Sequence, residues 1–196
     1  MCNDNKFPLI TGEISLDLVN TEVIRYGKKH DLLTSGEDVF AWVVALQKKQ
    51  ALHDRQFSGE VYEWADEVLP LLKKLRLHLR QGYEQLADNQ SLPCDWMNDL
   101  ELLIEKAPFT YRLVDGVLLA VPSGKSADAL IALVAFNAMN LFVTNELSHI
   151  HRCANKDCTL LFIDKSGRRK WCSMKICGNR KKVTRHLRRK EREQQY

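Results

Sequence analysis

The chain has 196 residues, 45% of them hydrophobic and 28% charged, with a formal net charge of +4. That length allows one domain, or one domain with a small appendage. No uninterrupted apolar run reaches about 18 residues, and Met1-Cys2-Asn3-Asp4-Asn5-Lys6 lacks the basic-then-apolar order of a secretion signal, so a cytoplasmic protein without a membrane span is expected.

The net charge conceals an asymmetry. Residues 151–196 hold 15 Lys and Arg against 4 Asp and Glu, a net of +11, whereas the first 150 residues hold 14 against 21, a net of −7. Four thiolates and one zinc ion would still leave the basic end near +9 by standard ionisation. An acidic body with a basic end is a layout suited to contact with nucleic acid.

In chain order, residues 1–34 start irregularly, and Ile14, Leu16, Leu18 and Val19 fit either a short strand or one buried helical turn. Ser35 is placed as an N-cap, with Glu37 and Asp38 in the first turn and Val39, Phe40, Trp42, Val43 and Leu46 on one helical face. Ser58 is expected to cap a long amphipathic helix through Val61, Trp64, Ala65, Val68, Leu72, Leu75, Leu79 and Leu86, with Pro70 kinking it or breaking it in two. Pro93 suits the first residue of a third helix through Met97, Leu100, Leu103 and Ile104.

The period then changes. Phe109–Val114 and Val117–Val121 flank Asp115-Gly116, which predicts a hairpin because both turn residues must take positive φ. From Ser126 to about Glu146 a nearly all-apolar helix is expected at the centre of the core. The segment Glu146–Arg152 then leads directly into a cysteine-rich module.

That module carries Cys153, Cys158, Cys172 and Cys177 as two Cys-x4-Cys pairs separated by thirteen residues. Four soft thiolates in two close pairs are what one tetrahedral Zn2+ requires. An iron–sulfur cluster uses a similar set, and free cysteines are the plain alternative; the two equal spacings favour zinc. Cys153–Cys158 is read as a knuckle whose amides point at the thiolates. Thr159–Ile163 and Arg169–Trp171 are read as a hairpin around Ser166-Gly167, with Cys177 opening a final helix. This order of knuckle, hairpin and helix resembles a treble-clef finger. His149 and His151 read as ordinary junction residues, Trp171 as packing beside the metal, and Cys94 as a small buried hydrophobe.

The final helix, from Gly178 to about Gln194, carries Arg180, Lys181, Lys182, Arg185, Arg188, Arg189, Lys190 and Arg192. Like charges so close repel by tenths of a kcal/mol per neighbouring pair, which suggests an anionic partner. Ser123-Gly-Lys-Ser126 lacks the earlier glycine of a phosphate-binding loop, because Gly116 sits eight residues before Gly124 rather than five. No catalytic constellation emerges, and an enzyme is not expected.

The string Trp171-Cys-Ser-Met-Lys-Ile-Cys177-Gly178-Asn179-Arg180, preceded by Cys153-Ala-Asn-x-x-Cys158 and Leu161-Phe-Ile-Asp164, resembles the CGNR zinc-finger family. Leu16-Asp17-Leu18-Val19-Asn20-Thr21, Asp31-Leu32-Leu33 and Phe40-Ala-Trp42 resemble the ABATE domain that precedes such fingers in bacterial proteins. The resemblance implies a bacterial, stress-related transcription regulator with Cys153, Cys158, Cys172 and Cys177 as zinc ligands. It makes Asn179 and Arg180 candidate contacts, Asn179 being equally suited to capping the helix and bonding a thiolate. Gly178 would leave backbone amides at the helix start open to a phosphate. The basic run before Trp171 is Arg168-Arg169-Lys170, where members often have arginines throughout, so one planar fork becomes an ammonium.

The expectation is thus a mainly α-helical (α+β) domain with a β-hairpin over 1–148 and a treble-clef-like zinc finger over 149–196. Nucleic acid would be met by Arg168, Arg169, Lys170, Asn179, Arg180, Lys181, Lys182, Arg185, Arg188 and Arg189. DNA is the expected partner, with an RNA- or ribosome-associated factor as the alternative. The first domain would regulate by sensing a small-molecule effector or by forming a homodimer.

Overall fold

A computed structural model describes residues 6–57 and 59–179. Its first helix, α1 (Ile14–Val19), has all six residues buried. The helix, not the strand, is therefore realised: a turn surrounded by protein on every side needs no polar face. Its one carboxylate, Asp17, is satisfied by the amides of Ile10, Thr11 and Gly12 at 3.2–3.3 Å and by the Thr11 hydroxyl at 2.8 Å. Burial is the main influence on that group and pushes its pKa up to about 6, although these bonds oppose the rise.

Next comes a ribbon that the sequence did not announce, β1 (Glu22–Arg25) and β2 (Lys28–Asp31), antiparallel around Tyr26-Gly27. Helix α2 (Gly36–Lys48) follows, and its N-cap Ser35 accepts from the Asp38 amide as expected. The expected cap at Ser58 lies outside the described residues.

Helix α3 (Val61–Ala87) runs unbroken through Pro70. The expected break does not occur, because Pro70 is on the exposed side while Val68 and Leu72 carry the buried stripe past it. The lost backbone bond therefore faces water. One strong charge interrupts the stripe: Arg76, 4% exposed, forks onto both Asp31 oxygens at 2.6 and 2.7 Å and onto the Thr21 hydroxyl at 2.8 Å.

Helix α4 (Trp96–Glu105) starts three residues later than the expected Pro93, whose carbonyl accepts from the Trp96 amide. The Trp96 indole lies over Gly82 of α3, where an added Cβ would come within 2.3 Å of Nε1, and donates to the His78 carbonyl at 3.1 Å. Cys94, in the preceding loop, is exposed and not the buried hydrophobe expected. The loop places it before the first buried turn of α4.

The second ribbon, β3 (Phe109–Val114) with β4 (Val117–Pro122), matches its prediction, and Asp115 and Gly116 have φ of 50° and 81°. Much of its apolar content faces outward: Tyr111, Leu113, Val117 and Leu118 are all exposed, Leu113 by 76%. Helix α5 (Ser126–Val143) is long and apolar enough to cross a membrane by composition, but 56% of it is buried against α1, α3 and α4, as a central core helix should be. The body is thus mainly helical with small hairpins, and the cysteine module follows directly.

Candidate metal centre and nucleic-acid interface

The module opens with β5 (Ile150–Arg152), which pairs with β6 (Leu161–Ile163). The expected partner for residues 159–163 was 169–171. Instead the residues read as a plain junction form the second strand, and the knuckle between them is closed by the Cys153 amide donating to the Leu160 carbonyl at 3.2 Å. Along β6 the side chains alternate: Leu161 enters the core of the body, and Phe162 enters a second small core with Cys153, Leu160, Cys172 and Cys177.

The four cysteine sulfurs all lie within 4.8 Å of one another. Cys158 and Cys172 are 3.9 Å apart, far beyond a disulfide and close to the about 3.8 Å that two ligands of a tetrahedral Zn–S site, with bonds of about 2.3 Å, require. Two of the sulfurs also accept hydrogen bonds from nitrogen donors. The Cys172 amide donates to Cys153 Sγ at 3.4 Å, and Asn155 Nδ2 donates to Cys177 Sγ at 3.5 Å. Asn155 is 2% exposed, and its Oδ1 accepts from the Asp157 amide at 3.4 Å, which fixes the amide orientation.

The electrostatics suit a dication. Hydrogen bonds from the Cys158 and Cys172 thiols hold the Cys153 thiol well below its ordinary pKa, helped by backbone amides of Cys172 and Asn155. Cys153 in turn pushes Cys158 up to about 12 and Cys172 upward as well. One negative charge is welcome in the cluster and further ones repel, a conflict that a divalent cation relieves. The donor set and spacing fit one zinc ion.

Beyond β6, the Asp164 carboxylate accepts from Ser166 Oγ at 2.6 Å, the Arg169 amide at 2.7 Å and the Ser166 amide at 3.0 Å, and the Ser166 bond leads in holding its pKa down at about 2. The resulting turn exposes Arg168, Arg169 and Lys170. The Arg169 guanidinium is used internally: it lies 4.5 Å from the Phe162 ring centre and donates to the carbonyls of Trp171 and Cys172. Trp171 packs against the small core.

Cys177 sits in a wide turn, Met174–Gly178, capped by Ser173, whose hydroxyl accepts from the Ile176 amide at 3.0 Å. The Gly178 amide is bonded to the Ser173 carbonyl at 3.0 Å, so it is not the free amide expected for a phosphate. Asn179 is exposed, and the asparagine that bonds a thiolate is Asn155. Arg180, Lys181, Lys182, Arg185, Arg188 and Arg189 lie outside the described residues.

The module is stitched to the body. Asn20 pairs both ways with Leu161, donating to its carbonyl at 3.0 Å and accepting from its amide at 2.9 Å. Thr159 donates to the Glu22 carbonyl at 3.0 Å, and Arg152 forks onto Asp88 at 2.8 and 2.9 Å. Arg80 joins α3 to the Val19 and Thr159 carbonyls and to the Glu22 carboxylate. Val23, Leu32, Phe7 and Ile10 complete the small core.

A four-cysteine module built onto a helical body defines a zinc-finger protein. Residues 149–190 match the model of the CGNR zinc finger. Residues 12–145, well over half of the chain, match the ABATE model, described as "putative stress-induced transcription regulator". The chain belongs to the ABATE family. No curated protein matches it.

Proposed function

We propose that this is a bacterial, cytoplasmic, zinc-dependent DNA-binding transcription regulator in which Cys153, Cys158, Cys172 and Cys177 hold one Zn2+. The observation that carries the reading is the approach of four thiol sulfurs to within 4.8 Å immediately before the cationic run that starts at Arg180. Cys153 and Cys158 of the knuckle, with Cys172 and Cys177, would hold the ion, which when bound would supply a cross-link within the finger. Everything else is done by the chain. Asn155 and the backbone amides orient the sulfurs, and Ser173 sets the turn from which residues 179–196 leave. Arg168, Arg169, Lys170, Asn179, Arg180, Lys181, Lys182, Arg185, Arg188 and Arg189 then meet phosphates and base edges, Arg169 also bracing the finger.

Residues 149–196 form the binding part and residues 1–148 the regulatory part, which acts through a small-molecule effector or a homodimer. A regulatory role is supported by the family descriptions, a zinc finger and a "putative stress-induced transcription regulator". The test is fluorescence anisotropy of the zinc-loaded chain on duplex DNA and matched RNA across a salt series, with Cys172→Ser as control. Zinc-dependent duplex binding with a log–log salt slope of roughly −4 to −6 supports the reading. Preference for RNA supports an RNA- or ribosome-associated factor instead, and binding to neither overturns both.

A further inference from the structure

The β1–β2 ribbon is a second cationic element beside the finger. Its register pairs Arg25 with Lys28 and Ile24 with Lys29, leaving Tyr26-Gly27 as a two-residue turn with φ of 52° and 73°. Arg25, Lys28, Lys29 and His30 are exposed. The two carboxylates of the ribbon are at its root and already engaged, Glu22 with Arg80 at 2.9 Å and Asp31 with Arg76 at 2.6 Å. The root is therefore neutralised, while the tip keeps its positive charge.

Position adds to composition. The root is fixed to the finger by Val23 and Leu32 in the small core and by the Thr159–Glu22 bond. Between ribbon, α2 and finger lies a cavity of about 780 Å³, lined by Arg25, Lys48, Lys49, Lys175 and Lys6, the last paired with Asp38, against one carboxylate in the lining, Asp157. Six of the 14 Lys and Arg that precede residue 150 belong to the ribbon tip or this lining, in a body whose net charge is −7. An acidic body that gathers its cations beside a basic finger offers one continuous surface to a polyanion.

The turn residue points the same way. A two-residue turn with both φ positive favours Asn-Gly, and a tyrosine in left-handed geometry costs about 1 kcal/mol or more relative to that choice. Tyr26 is 102% exposed, so contacts within the chain do not offset this cost. An aromatic hydroxyl held out between three cations is suited to a phosphate or sugar edge.

We propose that the β1–β2 ribbon contacts duplex DNA beside the finger, with Arg25, Lys28 and Lys29 neutralising backbone phosphates and Tyr26 donating to the same backbone. The proposal rests on the DNA-binding reading above. Because ribbon and finger share a core, the two dock as one body and widen the footprint of a single finger.

The experiment uses the full zinc-loaded chain and a fluorescein-labelled 20-base-pair duplex, with anisotropy read across a salt series. K28Q/K29Q is compared with K106Q/K125Q, which removes the same charge at two exposed lysines outside the ribbon and the cavity lining. The expected result is a salt slope shallower by about 1.8 for K28Q/K29Q, about 0.9 for each phosphate left unneutralised, and an unchanged slope for K106Q/K125Q. Tyr26→Asn, which relieves the turn, is expected to raise the melting temperature yet weaken duplex binding several-fold. Equal slopes for the two lysine pairs, with wild type binding the duplex, would overturn the ribbon contact alone. Failure of wild type to bind the duplex would overturn the DNA reading itself. Loss of affinity by K28Q/K29Q only on matched RNA or anionic vesicles would overturn the partner assigned.

Discussion

Asn20 and Leu161, 141 positions apart, meet as two strands would: the side-chain amide of one gives and takes a hydrogen bond with the backbone of the other, both out of contact with water. One asparagine thus extends the finger's sheet into the body. Asn20→Ala leaves a buried carbonyl and a buried amide unpaired and is expected to cost about 2–4 kcal/mol. Urea unfolding checks it, and Asn20→Asp, which keeps the acceptor but sets a buried carboxylate against the Leu161 carbonyl, should cost at least as much at pH 7.

Asn155 is the polar side chain that bonds a metal-site sulfur without being a ligand itself. Asn155→Ala should lower zinc affinity about 10- to 100-fold while leaving a 1:1 stoichiometry. Competition against a chromophoric chelator measures the first and elemental analysis the second. An unchanged affinity would remove Asn155 from the role given to it.

Metal removal should reach beyond the finger, since Val23 and Leu32 are held in the same small core as Cys153, Cys172 and Cys177. Chelation of the full chain is expected to lower the melting temperature of the helical signal at 222 nm, not only to unfold residues after 149. A melting curve indifferent to chelator would show that body and finger are energetically separate.

Two carboxylates give pH dependences of opposite sign. Asp17 has a folded pKa of about 6, raised mainly by burial from 3.8, so the folded state holds a proton that the unfolded chain has released. Stability from this group is present below about pH 4 and falls as pH rises toward 6, by on the order of 3 kcal/mol. The wild-type minus Asp17→Asn difference in unfolding free energy should track that window. Asp31 behaves oppositely: burial raises its pKa, but the Arg76 bonds outweigh this and leave it lowered. Its contribution is present above about pH 4 and lost on acidification. Arg76→Ala, which leaves Asp31 only Lys73 at 3.7 Å and the Leu33 amide at 2.9 Å, should cost about 1–3 kcal/mol at pH 7.

Gly82→Ala tests the contact between α3 and α4. The added methyl meets the rigid Trp96 indole, so a loss of about 1–3 kcal/mol is expected despite alanine's better helix propensity. Thermal melts, with Trp96 fluorescence as the local readout, decide it.

The parts legible in the sequence were those with a periodic or spacing signal. The Asp115-Gly116 ribbon declared itself through its turn and apolar flanks, and the metal set through two equal cysteine pairs. The ribbon at Tyr26-Gly27 did not, because Lys28-Lys29-His30-Asp31 contains no apolar residue and tyrosine is a poor turn signal. Pro70 misled because proline usually breaks a helix interior, although the apolar stripe passes it by at Val68 and Leu72 and leaves it on the wet face. Ile150–Arg152 read as a junction because three residues are too few to show alternation. Asn20 and Asn155 stand inside the family-resembling strings, but their bonds to Leu161 and Cys177 are made across the fold, and nothing local in the sequence names those partners.

The outward-facing ribbon of Tyr111, Leu113, Val117 and Leu118 bears on how the protein behaves as a colloid. In dilute salt the net charge of +4 that each chain carries opposes association and keeps these apolar ribbons apart; added salt screens the repulsion beyond about 10 Å at 0.1 M and leaves apolar attraction intact. Ionic strength therefore acts on two equilibria of opposite sense. The buffer that frees the basic end from a polyanion is also the buffer in which copies of the chain are least protected from each other.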